Sequence, residues 1–92
     1  MGRLDKSLAG YVSERLLAAE RGHAEALYDL GLLYSTGQGV DLDYVTAHKW
    51  FNLAAMMGVE RAKVDRRELA EEMSTFEIAE AQRQAREWVS AH

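Results

Sequence analysis

Apolar residues recur every three or four positions along most of the chain, which is the spacing of one face of an α-helix. Runs that alternate strictly between apolar and polar residues, as a half-buried β-strand would, do not occur. The pattern is interrupted at four places, which are Gly22, Gly37-Gln38-Gly39, Gly58 and Ser74. These interruptions predict five consecutive helices.

The five predicted helices cover about residues 5–20, about residues 24–35, the stretch from Asp43 to Gly58, about residues 60–73, and the stretch from Ser74 to about residue 90. Asp43 is a predicted N-cap, and Ser74 followed by Glu77 is a predicted capping box. The residues expected to face the core are Leu8, Val12, Leu16, Ala19, Ala26, Leu27, Leu30, Leu33, Tyr34, Ala47, Trp50, Phe51, Ala54, Ala62, Leu69, Met73, Ile78, Ala81, Ala85 and Trp88.

The chain repeats itself at an interval close to 36 residues. Leu17-Ala18-Ala19, followed by Gly22, recurs 36 positions later as Leu53-Ala54-Ala55, followed by Gly58. Ala47-x-x-Trp50 recurs 38 positions later as Ala85-x-x-Trp88. A period of this length is typical of a two-helix repeat, whose apolar face is buried only when neighbouring repeats stack.

The best-formed unit resembles a Sel1-like repeat, a relative of the tetratricopeptide repeat. The resemblance rests on Ala24-x-Ala26-x-x-x-Leu30-Gly31-x-x-Tyr34-x-x-Gly37-x-Gly39-Val40-x-x-Asp43-x-x-x-Ala47-x-x-Trp50-x-x-x-Ala54-Ala55-x-x-Gly58. It implies one domain over residues 1–92, with a half repeat at 5–21, a full repeat at 23–58 and a degenerate repeat at 59–90. It also implies an α/α superhelix of antiparallel helix hairpins, a bacterial source, and a role in assembling protein complexes.

Small residues explain how such a pattern can pack. The alanines allow neighbouring helices to approach closely, while Tyr34 and Trp50 fill the wider spaces. Gly31 lies in the middle of a predicted helix, where glycine costs about 1 kcal/mol relative to alanine. We therefore expect a neighbouring helix to cross tightly at Gly31, and we expect Gly37 and Gly39 to adopt backbone angles that other residues avoid.

Composition and charge exclude several classes of protein. The 11 basic and 15 acidic residues give a net charge of −4, and the basic residues form no stripe, so nucleic acid is not an expected ligand. Without cysteine there is no disulfide or thiol chemistry. No apolar run approaches the roughly 18 residues of a membrane span. The expected location is the cytoplasm, or the periplasm if a signal has been removed.

The residues predict no catalytic, cofactor-binding or metal-binding site. No His-Glu-x-x-His motif or nucleophile elbow occurs, and no Gly-Lys-Ser/Thr sequence follows Gly37-Gln38-Gly39 to make a phosphate loop. The acidic and basic residues near Glu68 are expected to form a solvated helix face. Both tryptophans are expected to lie in the core. His48, between Ala47 and Lys49, is expected on the solvated outer face of the third helix.

A candidate partner-binding surface lies on the outer side of the second helix. Its residues follow the i, i+3, i+4 rule and are Glu25, Tyr28, Asp29, Leu32 and Ser35. By the resemblance, this helix lines the concave side of the superhelix, where an aromatic–aliphatic pair would make a hot spot. The alternative is that the first or fourth helix covers these side chains.

Two weaker candidates remain open. Lys49, Asn52, Met56 and Met57 form a second patch, although Met57 is expected in the core. The first helix carries more apolar residues than one stripe uses, among them Tyr11, and the excess suggests a homodimer or a larger partner.

The function predicted from the sequence is a non-catalytic scaffold or adaptor that binds another protein or peptide. The first alternative is a structural or oligomerisation cap of a larger complex. A remote alternative is a small hydrolase built on a repeat frame.

Overall fold

The computed structural model describes the backbone of residues 2–92 and the side chains from residue 8 onward. Within that range the chain forms five α-helices and no β-strand, which confirms the predicted all-α class. The helices are α1 (Gly2–Glu20), α2 (Ala24–Thr36), α3 (Tyr44–Met56), α4 (Glu60–Ala70) and α5 (Thr75–Ala91). Residue 1 of the predicted 1–92 domain lies outside the described residues.

The predicted helix starts at Asp43 and Ser74 are confirmed by side-chain caps. The Asp43 carboxylate accepts hydrogen bonds from the backbone N–H of Thr46 at 3.1 Å and from its hydroxyl at 2.8 Å. Ser74 and Glu77 form both bonds of a capping box, at 3.1 and 2.8 Å. Each cap satisfies N–H groups that have no partner inside the helix, and so fixes where α3 and α5 begin.

The predicted end of α4 at Met73 was wrong, because the helix ends at Ala70. The backbone N–H groups of Glu72 and Met73 donate to the carbonyls three residues before them, at 3.0 and 3.1 Å. Such bonds tighten the chain into a 3₁₀-like turn. The turn brings the chain within three residues to the Ser74 cap of α5.

The glycine pair between α2 and α3 has the backbone angles expected of it. Gly37 has φ +70 and ends α2 in the left-handed conformation, with its N–H bonded to the Leu33 carbonyl. Gly39 has φ +72, and a Cβ built there would lie 2.8 Å from the Cβ of Leu8. This turn therefore both reverses the chain and lies directly against α1.

Helix α3 is the centre of the arrangement. It packs extensively against α2, α4 and α5, whereas α1 packs mainly against α2. The Trp50 and Trp88 rings join α3 to α5 edge to face, with their centroids 4.9 Å apart. Both helices of the last predicted hairpin therefore lie against the same central helix.

The core is built from small residues and a few large side chains. Ala26, Ala47 and Ala54 are completely buried, which confirms that they line close helix contacts. Gly31 of α2 confirms the expected tight crossing, because a Cβ there would lie 2.4 Å from the Phe51 ring of α3. The absence of one methyl group thus sets the distance between α2 and α3.

Candidate functional site

The outer face of α2 lies between α1 on one side and α4 on the other. The five residues predicted to bind a partner share this face, and they differ in how far the two flanking helices cover them. We call this surface the α2 face, and it consists of Glu25, Tyr28, Asp29, Leu32 and Ser35.

Tyr28 is half-buried and is held by α4. Its hydroxyl donates a hydrogen bond to the carboxylate of Asp65, and the Arg61 guanidinium lies 4.4 Å from the centre of its ring. On its inner side the ring is tilted against Phe51, with centroids 5.7 Å apart. Burial and then the Asp65 carboxylate raise the pKa of the Tyr28 hydroxyl. Tyr28 is therefore a neutral aromatic side chain in a fixed orientation.

The two acidic residues of the α2 face are paired with the flanking helices. Asp29 accepts a hydrogen bond from Arg15 of α1 at 3.0 Å, and Arg15 also binds Glu14 at 2.6 Å. Glu25 forms an ion pair with Arg61 of α4. The Glu25–Arg61 pair is exposed and adds little stability, whereas the Asp29–Arg15 pair is partly buried, and together they neutralise the face and orient its edges.

Leu32 is the apolar residue of the α2 face that remains exposed, at 39 %. It lies between two shallow grooves of about 290 and 250 Å³, one beside Tyr11 of α1 and one beside Leu69 of α4. Ser35 follows one turn later and donates its hydroxyl to the Leu32 carbonyl at 3.1 Å. The flanking helices thus cover Tyr28 and pair Asp29, and leave a leucine ridge between two grooves.

The residues of the second predicted patch, which are Lys49, Asn52, Met56 and Met57, lie in two different environments. The Lys49 ammonium lies 4.4 Å from the Trp50 ring and 5.4 Å from the Trp88 ring, and burial lowers its pKa. Met56 is 63 % exposed and Met57 is 51 % exposed. The prediction that Met57 belongs to the core was wrong, because this residue caps the end of α3 beyond the helices that cover the rest of it.

Two further grooves lie where the carboxyl-terminal halves of α3 and α5 meet. One, of about 370 Å³, reaches from Met57 past Trp88 to the α1–α2 turn at Gly22. The other, of about 470 Å³, runs between Asn52 of α3 and Arg86 of α5. Sequence reasoning missed the α5 side of these grooves, although Val89, one position after the core residue Trp88, was a visible sign of a wider apolar face.

His48 does not lie on a solvated face, so that prediction was wrong. Its side chain is 4 % exposed, and its Nδ1 atom has no hydrogen-bond partner among the described residues. The physical reason is that α2, α4 and α5 surround α3, so that almost its whole circumference is covered. Burial lowers the pKa of His48, and the positive charge of Arg66 lowers it further.

The buried imidazole makes stability depend on pH. Because the pKa of His48 is lower in the folded chain than its ordinary value of 6.5, the unfolded chain binds the proton more readily. The contribution is complete above about pH 6.5 and is lost as the pH falls below it. We expect the free energy of unfolding, measured by urea denaturation, to decrease between about pH 7.5 and about pH 5.5.

The matched variants for this measurement are His48→Gln and His23→Gln. His23 is exposed, so its replacement should keep the full pH dependence, whereas His48→Gln should flatten the curve in this window. Equal slopes in the wild type and His48→Gln would show that another group causes the decrease.

The described residues include no group of three or more His, Cys, Asp or Glu side chains placed to hold a metal ion. Among the same residues, no helix has the length and apolar character needed to cross a membrane.

Comparison with known families gives one match. Residues 24–59 match the family model of the Sel1 repeat, over the stretch that contains α2, α3 and the turn into α4. This agrees with the resemblance carried by the glycine and alanine pattern. A search of curated proteins finds no match to the chain.

Proposed function

We propose that this chain, which is a Sel1-like repeat protein, is a scaffold or adaptor that binds another protein or peptide and has no catalytic activity. Sel1 repeats generally mediate contacts between proteins. The proposal assigns the α2 face as the binding surface and places the protein in the cytoplasm of a bacterial cell.

The observation that carries the assignment is the exposed Leu32 ridge between its two grooves. A leucine that projects from a rigid helix can enter a pocket of a partner, while the grooves beside it can receive the partner's own side chains. Tyr28 is already held by Asp65 and Asp29 by Arg15, so little side-chain freedom is lost on binding. The α2 face therefore has the order and the mixed polarity of a docking surface.

The proposal predicts that Leu32→Asp strongly reduces partner capture. The new carboxylate would have to be buried without a counterion, so we expect affinity to fall by about tenfold or more. The measurement is a crosslinking pull-down from the native cell, followed by titration of the identified partner with purified variants.

Val64→Asp is the matched control, because Val64 is also exposed on a helix, at 48 %, but lines neither of the two grooves beside Leu32. Circular dichroism checks that both variants keep their helicity. A partner retained equally by the wild type, Leu32→Asp and Val64→Asp would exclude the α2 face as the binding surface.

A structural or oligomerisation cap is the second candidate function. It is favoured by exposed apolar side chains on both outer helices, Leu17 of α1 at 54 % and Phe76 of α5 at 87 %. Tyr11 and Leu17 are separated by about 120° around the α1 axis, so they do not form one continuous face. Light scattering that shows a strict monomer across micromolar concentrations would remove the homodimer version of this function.

A further inference from the structure

The groove between α3 and α5 has a composition unlike that of the α2 face. Its volume of about 470 Å³ lies within the range of roughly 300–1,000 Å³ that is usual for ligand pockets. It shares no residue with the α2 face. The residues that line it are Asn52, Met56, Gln82, Ala85, Arg86, Val89 and Ser90.

The charge in this groove is positive and is not neutralised by the described residues. Arg86 forms no ion pair with any of them, and no acidic side chain lines the groove. Arg66 of α4 does not line the groove, but it donates a hydrogen bond to the side-chain oxygen of Asn52, a neutral residue that does. Arg21 and Arg67 also form no ion pair among the described residues, so the groove is distinguished by a lining that holds an arginine and no carboxylate.

The Arg66 charge also acts on its surroundings. It contributes to the lowered pKa of His48, one helical turn before Asn52 on α3, as an uncompensated cation would. Arg86 lies outside the last turn of α5, so attraction to the negative end of that helix does not account for its position. Arg66 lies within α4 and points its guanidinium at α3.

The rest of the groove is suited to a peptide rather than to a free anion. Met56 and Val89 are 63 % and 50 % exposed, and they give it an apolar side. Methionine adapts to partners of different shape. The side-chain amides of Asn52 and Gln82 can donate to and accept from the main chain of a peptide.

We propose that the groove between α3 and α5 is a second binding site, which takes a short peptide segment with one acidic side chain next to an apolar one. The acidic side chain binds Arg86, beside the Asn52 amide that Arg66 holds, because charge-assisted hydrogen bonds to a guanidinium group are strong and directional. The apolar side chain covers Met56 and Val89. Charge complementarity identifies this occupant, because an apolar segment alone would leave Arg86, the charged residue that lines the groove, without a partner among the described residues.

The test uses two blocked pentapeptides as probes, acetyl-Gly-Leu-Glu-Gly-Gly-amide and acetyl-Gly-Glu-Leu-Gly-Gly-amide. Binding to the full chain is followed by amide nitrogen–proton correlation spectra. We expect at least one probe to shift signals around residues 52–56 and 82–90. Its dissociation constant should rise by about tenfold or more when Glu is replaced by Gln, and should also rise with salt.

Arg86→Gln should weaken binding of the Glu probe to the level of the Gln probe. Arg67→Gln is the matched control, because Arg67 is an exposed arginine of α4 that does not line the groove, and it should bind like the wild type. Equal binding of the Glu and Gln probes, or an Arg86→Gln variant that binds the Glu probe normally, would overturn the proposal. So would the absence of any shift at millimolar peptide.

The test separates this site from the proposed function of the α2 face. Leu32→Asp should leave probe binding unchanged, so loss of partner capture and loss of probe binding are independent results. If light scattering shows that the chain dimerises and that Arg86→Gln dissociates the dimer, the occupant is a second copy, and the peptide proposal fails.

Discussion

Replacing Trp50 with alanine is expected to lower the free energy of unfolding by about 3–5 kcal/mol, the usual range for a large buried aromatic side chain. Trp50 is 3 % exposed and lies edge to face against Trp88, so its loss opens a cavity at the junction of α3 and α5. A domain of this size has only about 5–15 kcal/mol in total. Urea denaturation followed by circular dichroism gives the difference.

Two controls show whether the loss comes from the aromatic contact. Trp50→Phe keeps a ring and removes the indole N–H, which is buried and has no hydrogen-bond partner among the described residues, so it should be clearly milder than Trp50→Ala. Leu17→Ala changes an exposed side chain and should stay within about 0.5 kcal/mol of the wild type. A loss below about 1 kcal/mol for Trp50→Ala would mean that this junction contributes little to folding.

Gly31→Ala is expected to destabilise the chain by about 1–3 kcal/mol, although alanine is the better helix former. The added methyl group would lie 2.4 Å from the Phe51 ring, a distance that requires α2 and α3 to separate or the ring to move. The ring is 2 % exposed and closely surrounded, so it has little room to move. The same denaturation measurement tests this expectation.

Gly10→Ala is the matched control, because Gly10 lies within α1 and a Cβ there would meet no atom of the described part of the chain within 4 Å. We expect it to stabilise the chain by up to about 1 kcal/mol, the ordinary gain in helix propensity. Adding Phe51→Leu to Gly31→Ala should cost less than the sum of the two single changes. Equal stabilisation by Gly31→Ala and Gly10→Ala would show that the crossing is not tight.

The helices and their packing could largely be predicted from the sequence, because local chemistry determines them. Gly31 was identified as a tight crossing because a glycine inside a helix needs a reason. The starts of α3 and α5 were visible because Asp43 and the Ser74–Glu77 pair bind backbone groups within three residues. The end of α4 was not, since its turn has no glycine to mark it.

The environment of His48 could not be predicted, because hydrophobic periodicity reports one buried face of a helix. Three helices surround α3, and a polar residue can then be buried wherever the neighbours happen to meet. The prediction for Met57 was wrong in the opposite sense, because a residue expected to be buried is exposed. It continues the apolar pattern of α3 but lies past the last point at which another helix covers it.

The α2 face shows the same division between local and long-range information. Helical spacing predicts which residues form this face, but it does not predict which residues of other helices they contact. Glu25 meets Arg61, and Tyr28 meets Asp65, at separations of 36 and 37 residues. These separations are close to the repeat length, because the repeat sets α2 and α4 side by side. The interval was visible in the sequence, whereas the pairing of particular charges across it was not.

The central position of α3 makes the helices unequal in how easily they can detach. Helix α1 is joined to the remainder mainly through α2, so it can separate while the contacts among α2, α3, α4 and α5 persist. Opening α3 would instead break its contacts with three neighbours at once. Helices α4 and α5 likewise make most of their helix contacts with α3 alone, so local opening should begin at these outer helices, whereas complete exposure of α3 should require the whole domain to unfold.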